Sequence, residues 1–520
     1  MLSVALAACL FISADVETIE PDLILENALI VDGSGAEASP GDLAVKGDKI
    51  VAVGKFKWKG TPKVLDCSGL VIAPGFIDLH THSDSAMTQP ATSPNLNYLT
   101  QGLTTAVTGN CGFGPVDVAD YFAKMEKIGI GSNVIHQVPH NAVRENVMGN
   151  VNRDPTPDEL KKMQALVDKG MRDGAWGFST GLIYNPGTYA KTEELIALAM
   201  IAHKHGGFYA SHIRNESVEI FKALEEILTI CRRLGIRVHI SHIKVSGRLA
   251  WGKAPDVIAL VRRARKDGLE VTADQYPYPA SSTSLAAMVI PAKYREGTNA
   301  DFFKRLDDPK LGPKMRAAIA ATIEGRAGAK TLKIASYAPR RDWQGKDLET
   351  IATAEKKDLV DVVLEIQKKG GAGVVSFGMN EEEVRLFMKE PYVATASDGS
   401  SQLPTDTVPH PRAYGTFPRK IGKYALEEKV ISLEQAIRSA SGLPADILRL
   451  PKRGYLKEGY FADIVVFDPK TFRDVATYDE PHQYSRGVRY LLVNGVMTIA
   501  DGRYTGARAG RVLRHESSPK

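Results

Sequence analysis

The segment Pro74-Gly75-Phe76-Ile77-Asp78-Leu79-His80-Thr81-His82-Ser83-Asp84 runs an apolar stretch into a His-x-His pair. Side chains at i and i+2 of a strand share a face, so His80 and His82 can converge on one ion. A lone His-x-His is more often two histidines satisfied by ordinary hydrogen bonds. This pair, however, closes a strand, and other strand ends repeat the theme. His212 stands in ASHIRNE, His242 in HISHIK, Asp274 in TADQYPY and Asp398 in ATASDGSS. Cys111 lies in Thr108-Gly109-Asn110-Cys111-Gly112, directly after a strand-like stretch, and its glycine neighbours allow close approach of backbone and ligand. One such residue is explained by packing; several at the same edge of successive units point to a metal centre. Imidazole, thiolate and carboxylate together suit zinc, and a thiolate can bridge two ions. His239, His203, His205 and His482 lack that placement, while His136 and His140 fit either reading.

Strand ends are aligned in this way by a parallel sheet. Between about residues 71 and 450, strand-like stretches alternate with amphipathic helices: 208–213, a helix over 217–234 stopped by Gly235, 236–243, a helix near 255–266, then 269–275. Later, 374–377, a helix over 381–389 and 392–397 continue the alternation. Over this length a (β/α)8 TIM-like barrel is expected, with the active site at the C-terminal ends of its strands. Residues of about 290–345 break the rhythm and read as an insertion over one face, a candidate lid and specificity element. Residues 21–70 and 451–513 read as short strands and turns, including Asn494-Gly495. Neither end is enough alone, so the two are expected to join in one small β-sandwich domain.

The 520 residues are 43% hydrophobic and 24% charged, with a net charge of +5. That balance fits a globular protein and argues against nucleic acid as a partner. No internal apolar run is long enough to span a membrane. Residues 1–14 (MLSVALAACLFISA) are apolar and uncharged and end in small residues, like a secretory signal without its positive start. Residues 1–20 are therefore expected to be a leader and the protein to be exported, to periplasm or medium; the alternative is a cytoplasmic protein. Four cysteines, Cys9, Cys67, Cys111 and Cys231, do not make a disulfide framework. Cys231 falls on a stripe with Val218, Phe221, Leu224 and Leu228 and reads as core, and Cys67 reads as a turn residue.

These motifs resemble the amidohydrolase superfamily, and within it the N-acyl-D-amino-acid deacylase (D-aminoacylase) family, over about residues 22–510. The pieces are GFIDLHTHSD, TQGLTTAVTGNCGFGP, GAWGFSTGLIYNPGTYA, ASHIRNE, HISHIK, DQYPYPASST, ATASDGS, HPRAYGTFPR and KEGYFADIVVFDP. The first and last belong to amidohydrolases at large, whereas the NCG cysteine and the SHIRNE/SHIK pair mark the branch.

The resemblance implies a tight zinc site at Cys111, His212 and His242. It implies a second, weaker or vacant position at His80, His82 and Asp398, with Cys111 between the two in place of the usual carboxylated lysine. Lys244, Tyr276, Tyr278, Ser281 or Ser282, and Arg412 match positions that hold the substrate carboxylate and orient the amide. The implied reaction is metal-assisted hydrolysis of a small-molecule N-acyl-D-amino acid to a carboxylic acid and a D-amino acid. Asp398 would take a proton from water and deliver it to the departing amine. Two alternatives stand beside this: a cyclic-amide hydrolase of hydantoinase or dihydroorotase type, against which Cys111 argues, and a non-catalytic binding protein on the same fold. The complete ligand set argues against the second.

Overall fold

The computed structural model describes residues 18–516. Eight parallel strands form the barrel: β1 (Phe76–Asp78), β2 (Leu103–Thr108), β3 (Asn133–His136), β4 (Gly177–Gly181), β5 (Phe208–His212), β6 (Val238–Ile240), β7 (Val271–Gln275) and β8 (Val393–Thr395). Each pairs in parallel with its sequence neighbour, and Val138–Pro139 prolongs β3 to reach β4. The ring closes just past β8, where Asp398 N donates to His80 O at 2.8 Å and His82 N donates to Gly399 O at 2.7 Å. Two candidate site residues are thus part of the seam that shuts the barrel.

The crossover helices form for ordinary reasons. Pro157–Arg172 opens on a capping box in which Thr156 and Glu159 satisfy each other's backbone N–H. Ile220–Leu234 ends on Gly235 in the left-handed conformation, as its sequence requires. Its buried face is Ile220, Leu224, Ile227, Leu228 and Cys231, whereas Val218 and Phe221, expected on that face, are exposed. The helix starts two residues later than its apolar pattern, which leaves Val218 in the preceding loop.

The two chain ends meet in one nine-stranded sheet. Ile464–Phe467 pairs antiparallel with Val71–Pro74, which in turn pairs with Leu23–Ile30. Ile72, Ile464 and Val466 face the domain's own core, and Val71, Ala73, Val465 and Phe467 pack with barrel residues such as Phe76 and Leu103. Val71–Pro74 therefore belongs to the β domain, and the barrel begins at Phe76 rather than at residue 71. The Asn494-Gly495 turn has both residues at positive φ, the geometry of a tight two-residue hairpin. Cys67 is buried in the turn after Lys63–Asp66.

Two expectations are corrected. Residues 374–377 do not form a barrel strand: Gly373–Ser376 pairs antiparallel with both Ser281–Ser284 and Leu332–Ser336. The interruption is accordingly wider than 290–345 and runs from Ser281 to Ser376, around a separate core that includes Phe302, Ile319, Trp343, Leu348 and Val374. It looked like a βα unit because a buried strand followed by a helix has the same apolar pattern wherever it sits. Residues 1–17 of the expected leader lie outside the described residues; Thr18–Ile19, grouped with it, pair with Lys57–Trp58. No helix among the described residues is long and apolar enough to cross a membrane.

Candidate active site

β1 carries Phe76 and Ile77 into the core and delivers His80 and His82 beyond its end. Asp78 ties this end to β8, its Oδ1 accepting from His80 N and from Ser397 N, both at 3.0 Å. Asp274 at the end of β7 does not join the candidate ligands from the front. Its Oδ2 lies 2.8 Å from His239 Nε2 and 3.4 Å from His80 Nδ1, and its Oδ1 accepts from His242 N at 2.7 Å. It is an orienting carboxylate behind two histidines, and His239 is its partner.

Cys111 sits at φ 52°, in the left-handed region that costs a side-chain-bearing residue roughly 1–3 kcal/mol. His242 (φ 38°) and Asp398 (φ 51°) share that conformation. The loop is held there by close backbone approach: a Cβ at Gly181 of β4 would lie 2.1 Å from Cys111 O. Cys111 Sγ then stands 3.3 Å from His80 Nε2, 3.6 Å from His242 Nε2 and 3.7 Å from His212 Nδ1. Burial pushes its thiol well above the ordinary value, with Asp398 adding to the rise. One S–H proton can serve only one of three imidazole nitrogens. Tetrahedral zinc with Zn–S of about 2.3 Å and Zn–N of about 2.05 Å sets sulfur–nitrogen edges near 3.6 Å. The donor set and its spacing therefore fit zinc, which is also what stabilises a buried thiolate.

The outward sides of the rings meet an acidic residue. Glu216 Oε1 lies 3.0 Å from His242 Nδ1 and 3.7 Å from His212 Nε2, and it accepts from Lys244 Nζ at 2.6 Å. Burial works against its charge, but Lys244 and the two histidines win and hold the carboxyl far below the usual range. A carboxylate on the far nitrogen of a ligand imidazole fixes its tautomer and orientation. Lys244, expected at the substrate carboxylate, is anchored here; its Nζ also donates to His242 O at 2.9 Å.

On the other side His82 Nε2 lies 3.2 Å and His80 Nε2 3.6 Å from Asp398 Oδ1. Arg412 Nη1 donates to Asp398 Oδ2 at 2.7 Å and Nη2 to Ser282 O at 3.2 Å. Desolvation would raise the Asp398 carboxyl, but Arg412, His242 and His80 hold it well below the carboxylate range. Among the described residues, groups able to hold an ion are His80–Cys111–His242, His80–His82–Asp398 and His212–Glu216–His242. Each of the six expected ligands falls in one of these groups, but the expected trio Cys111–His212–His242 is not itself one of them: Cys111 groups with His80 and His242, and His212 with Glu216 and His242.

A cavity opens on this centre, lined by His212, His242 and Asp398 on the barrel side. Lys244, Tyr276, Ser281 and Ser282 line it as expected, joined by Tyr184, Met288 and Arg326. Tyr278 is not brought to the cavity: its ring packs against His410 at 5.1 Å and under the Arg419 guanidinium. Strand alternation would put Tyr276 and Tyr278 on one face, but the strand ends at Gln275 and the two tyrosines flank Pro277 in the segment that follows, where that rule no longer holds. His136 and His140 are packing residues, with His136 Nε2 donating to Pro115 O and His140 Nε2 lying 2.9 Å from Glu194. Glu216 and Arg326 were missed. Glu216 sits four residues after His212, a spacing that could have drawn attention to it.

The pattern of the amidohydrolase family matches residues 63–499. The chain is 35% identical to a D-aminoacylase of Alcaligenes xylosoxydans xylosoxydans, covering 95% of this chain and 97% of that one. It is 33% identical to an N-acyl-D-glutamate deacylase of the same organism, covering 96% and 97%. The structure superposes on the crystal structure of the N-acyl-D-glutamate deacylase from Bordetella bronchiseptica, complexed with zinc and a phosphonate inhibitor that mimics the tetrahedral intermediate. The TM-score is 0.81, at 33% identity over 95% of this chain and 100% of that one.

Proposed function

The chain belongs to the amidohydrolase family, and on that premise we propose that it hydrolyses the linear amide of N-acyl-D-amino acids to a carboxylate and a D-amino acid. The observation that carries this reading is the Cys111 thiol among three imidazole nitrogens, with the Asp398 carboxylate beside them. Cys111 occupies the position between the two histidine groups. Lys244 spends its ammonium on Glu216, which speaks against a lysine-bridged, cyclic-amide enzyme.

We assign the tight zinc position to Cys111, His212 and His242 and a weaker one to His80, His82 and Asp398, with Cys111 shared. Zinc, when bound there, supplies a Lewis acid for the amide carbonyl and makes water nucleophilic at neutral pH. The protein's part is positional. Arg412 fixes the Asp398 carboxylate and keeps it ionised, so Oδ1 can take a proton from the attacking water and hand it to the leaving amine nitrogen. Glu216, 3.0 Å from His242 Nδ1, keeps the His242 nitrogen that faces Cys111 free to ligate. Lys244, Tyr276, Ser281 and Ser282 form the wall against which the substrate α-carboxylate and amide rest.

Removal of zinc with a chelator should stop hydrolysis, and stoichiometric zinc should restore it, with products identified by mass as acid and D-amino acid. Full activity in a metal-free protein would contradict the proposal. The apolar, uncharged residues 1–14 support a second proposal, export from the cytoplasm. Cell fractionation with N-terminal sequencing tests it; an intact chain confined to the cytoplasm would overturn it.

A further inference from the structure

The cavity is lined by three cationic side chains, and two are anchored by neighbouring acceptors. Arg214 gives Nε and Nη2 to Glu226 at 3.0 Å each, Nη1 to Thr188 O and Nη2 also to Ala190 O. Lys244 is held by Glu216, His242 Nδ1 and His242 O. Arg326 is different. It follows the helix Gly312–Gly325 of the 281–376 insertion, and its Nε donates to Met288 O at 2.6 Å. Among the described residues its two terminal nitrogens make no hydrogen bond and no ion pair, although the side chain lines the cavity with Met288, Ser281, Ser282 and Tyr184. Burial pulls its pKa below the ordinary value, and distant Glu216 only partly opposes that. Arg326 is half-buried, and its two terminal nitrogens are free to donate into the cavity, where the guanidinium fork matches a carboxylate.

The substrate must bring that anion. Its α-carboxylate is two bonds from the scissile nitrogen, so it falls to groups that touch the ligands: Lys244 on His242, and Arg412 on Asp398. Arg326 makes no hydrogen bond or ion pair with Lys244, Arg412 or the expected ligands, which leaves it available to a group farther along the substrate. We propose that Arg326 is a specificity residue that binds a second carboxylate of the substrate, making this an enzyme for dicarboxylic N-acyl-D-amino acids. This rests on the deacylase reading above and adds the substrate class to it. Two sources carry such a carboxylate: the side chain of D-glutamate or D-aspartate, and a dicarboxylic acyl group.

The test is steady-state kinetics of the zinc enzyme on N-acetyl-D-glutamate, N-acetyl-D-aspartate, N-acetyl-D-glutamine, N-acetyl-D-leucine and N-succinyl-D-leucine, for wild type, Arg326→Met and Arg326→Lys. The acidic D-amino acids should exceed their neutral counterparts in kcat/KM. Arg326→Met should raise KM for N-acetyl-D-glutamate about 10- to 100-fold relative to that for N-acetyl-D-leucine, with partial recovery in Arg326→Lys. The same Arg326-dependent advantage for N-succinyl-D-leucine would place the second carboxylate on the acyl side. Neutral substrates preferred, with the ratio unmoved by Arg326→Met, would overturn the proposal and leave the deacylase reading intact. Turnover of no N-acyl-D-amino acid would overturn that reading itself. Thermal shifts with D-glutamate and D-glutamine need no turnover: a shift specific to D-glutamate and lost in Arg326→Met supports the site, and equal shifts refute it.

Discussion

Arg412 Nη1 donates to Asp398 Oδ2 at 2.7 Å, and this leaves Oδ1 of the same carboxylate facing His82 Nε2 at 3.2 Å. The arginine expected to receive the substrate therefore also holds the proton-transfer residue. Asp398→Asn should lower kcat by about 10²- to 10⁴-fold, the usual scale for a lost general base. Arg412→Met should reduce kcat/KM and also destabilise the fold by roughly 3 kcal/mol, because it strands a buried carboxylate. Kinetics together with urea melts separate the two effects. An Arg412→Met enzyme of normal kcat and stability would refute the assignment.

Glu216 links Lys244 to the rings of His212 and His242. Glu216→Gln should weaken zinc binding by about 10- to 100-fold, as loss of a carboxylate behind a ligand histidine commonly does. Competition against a fluorescent chelator measures this. The Glu216→Gln/Lys244→Met double variant should recover stability lost by Glu216→Gln alone without recovering zinc affinity.

Cys111→Ser should lower the zinc retained after dialysis well below that of the wild type, since a serine hydroxyl is a far poorer ligand than thiolate. Elemental analysis reads it. A variant that keeps the wild-type zinc content would remove Cys111 from the centre.

Lys420 gives a pH prediction away from the site. Its Nζ is buried without a hydrogen-bond partner, and burial alone lowers its pKa to about 7. The unfolded chain holds that proton to about pH 10.4. The cost to the folded state is thus complete below about pH 7 and fades as pH rises toward 10, by up to about 1.4 kcal/mol per pH unit. Lys420→Met should therefore be more stable than the wild type at pH 7, and the gap should narrow at pH 9.5. Melts at both values check it.

Much of the site was legible because strand periodicity and strand ends are local properties. His212 closes its strand and His80, His82, Cys111, His242 and Asp398 lie just beyond the ends of theirs, and a parallel barrel brings strand ends to one rim. Contacts made across that rim were not local. Nothing in ASHIRNE says that Glu216 will reach Lys244 on the next unit, or that Arg326 will arrive from an insertion after β7. The strand Gly373–Ser376 misled because burial, not partner, shapes its sequence. Tyr278 misled for the opposite reason: the proline between the two tyrosines sends one to the cavity and the other toward Arg419.

The most direct test is amine release from paired N-acetyl-D- and N-acetyl-L-amino acids by the zinc-loaded protein, with Asp398→Asn as the control. Turnover confined to the D-forms and lost in the variant is the predicted result. Turnover of neither enantiomer by a folded, zinc-bound protein, or turnover of the L-forms, would contradict it.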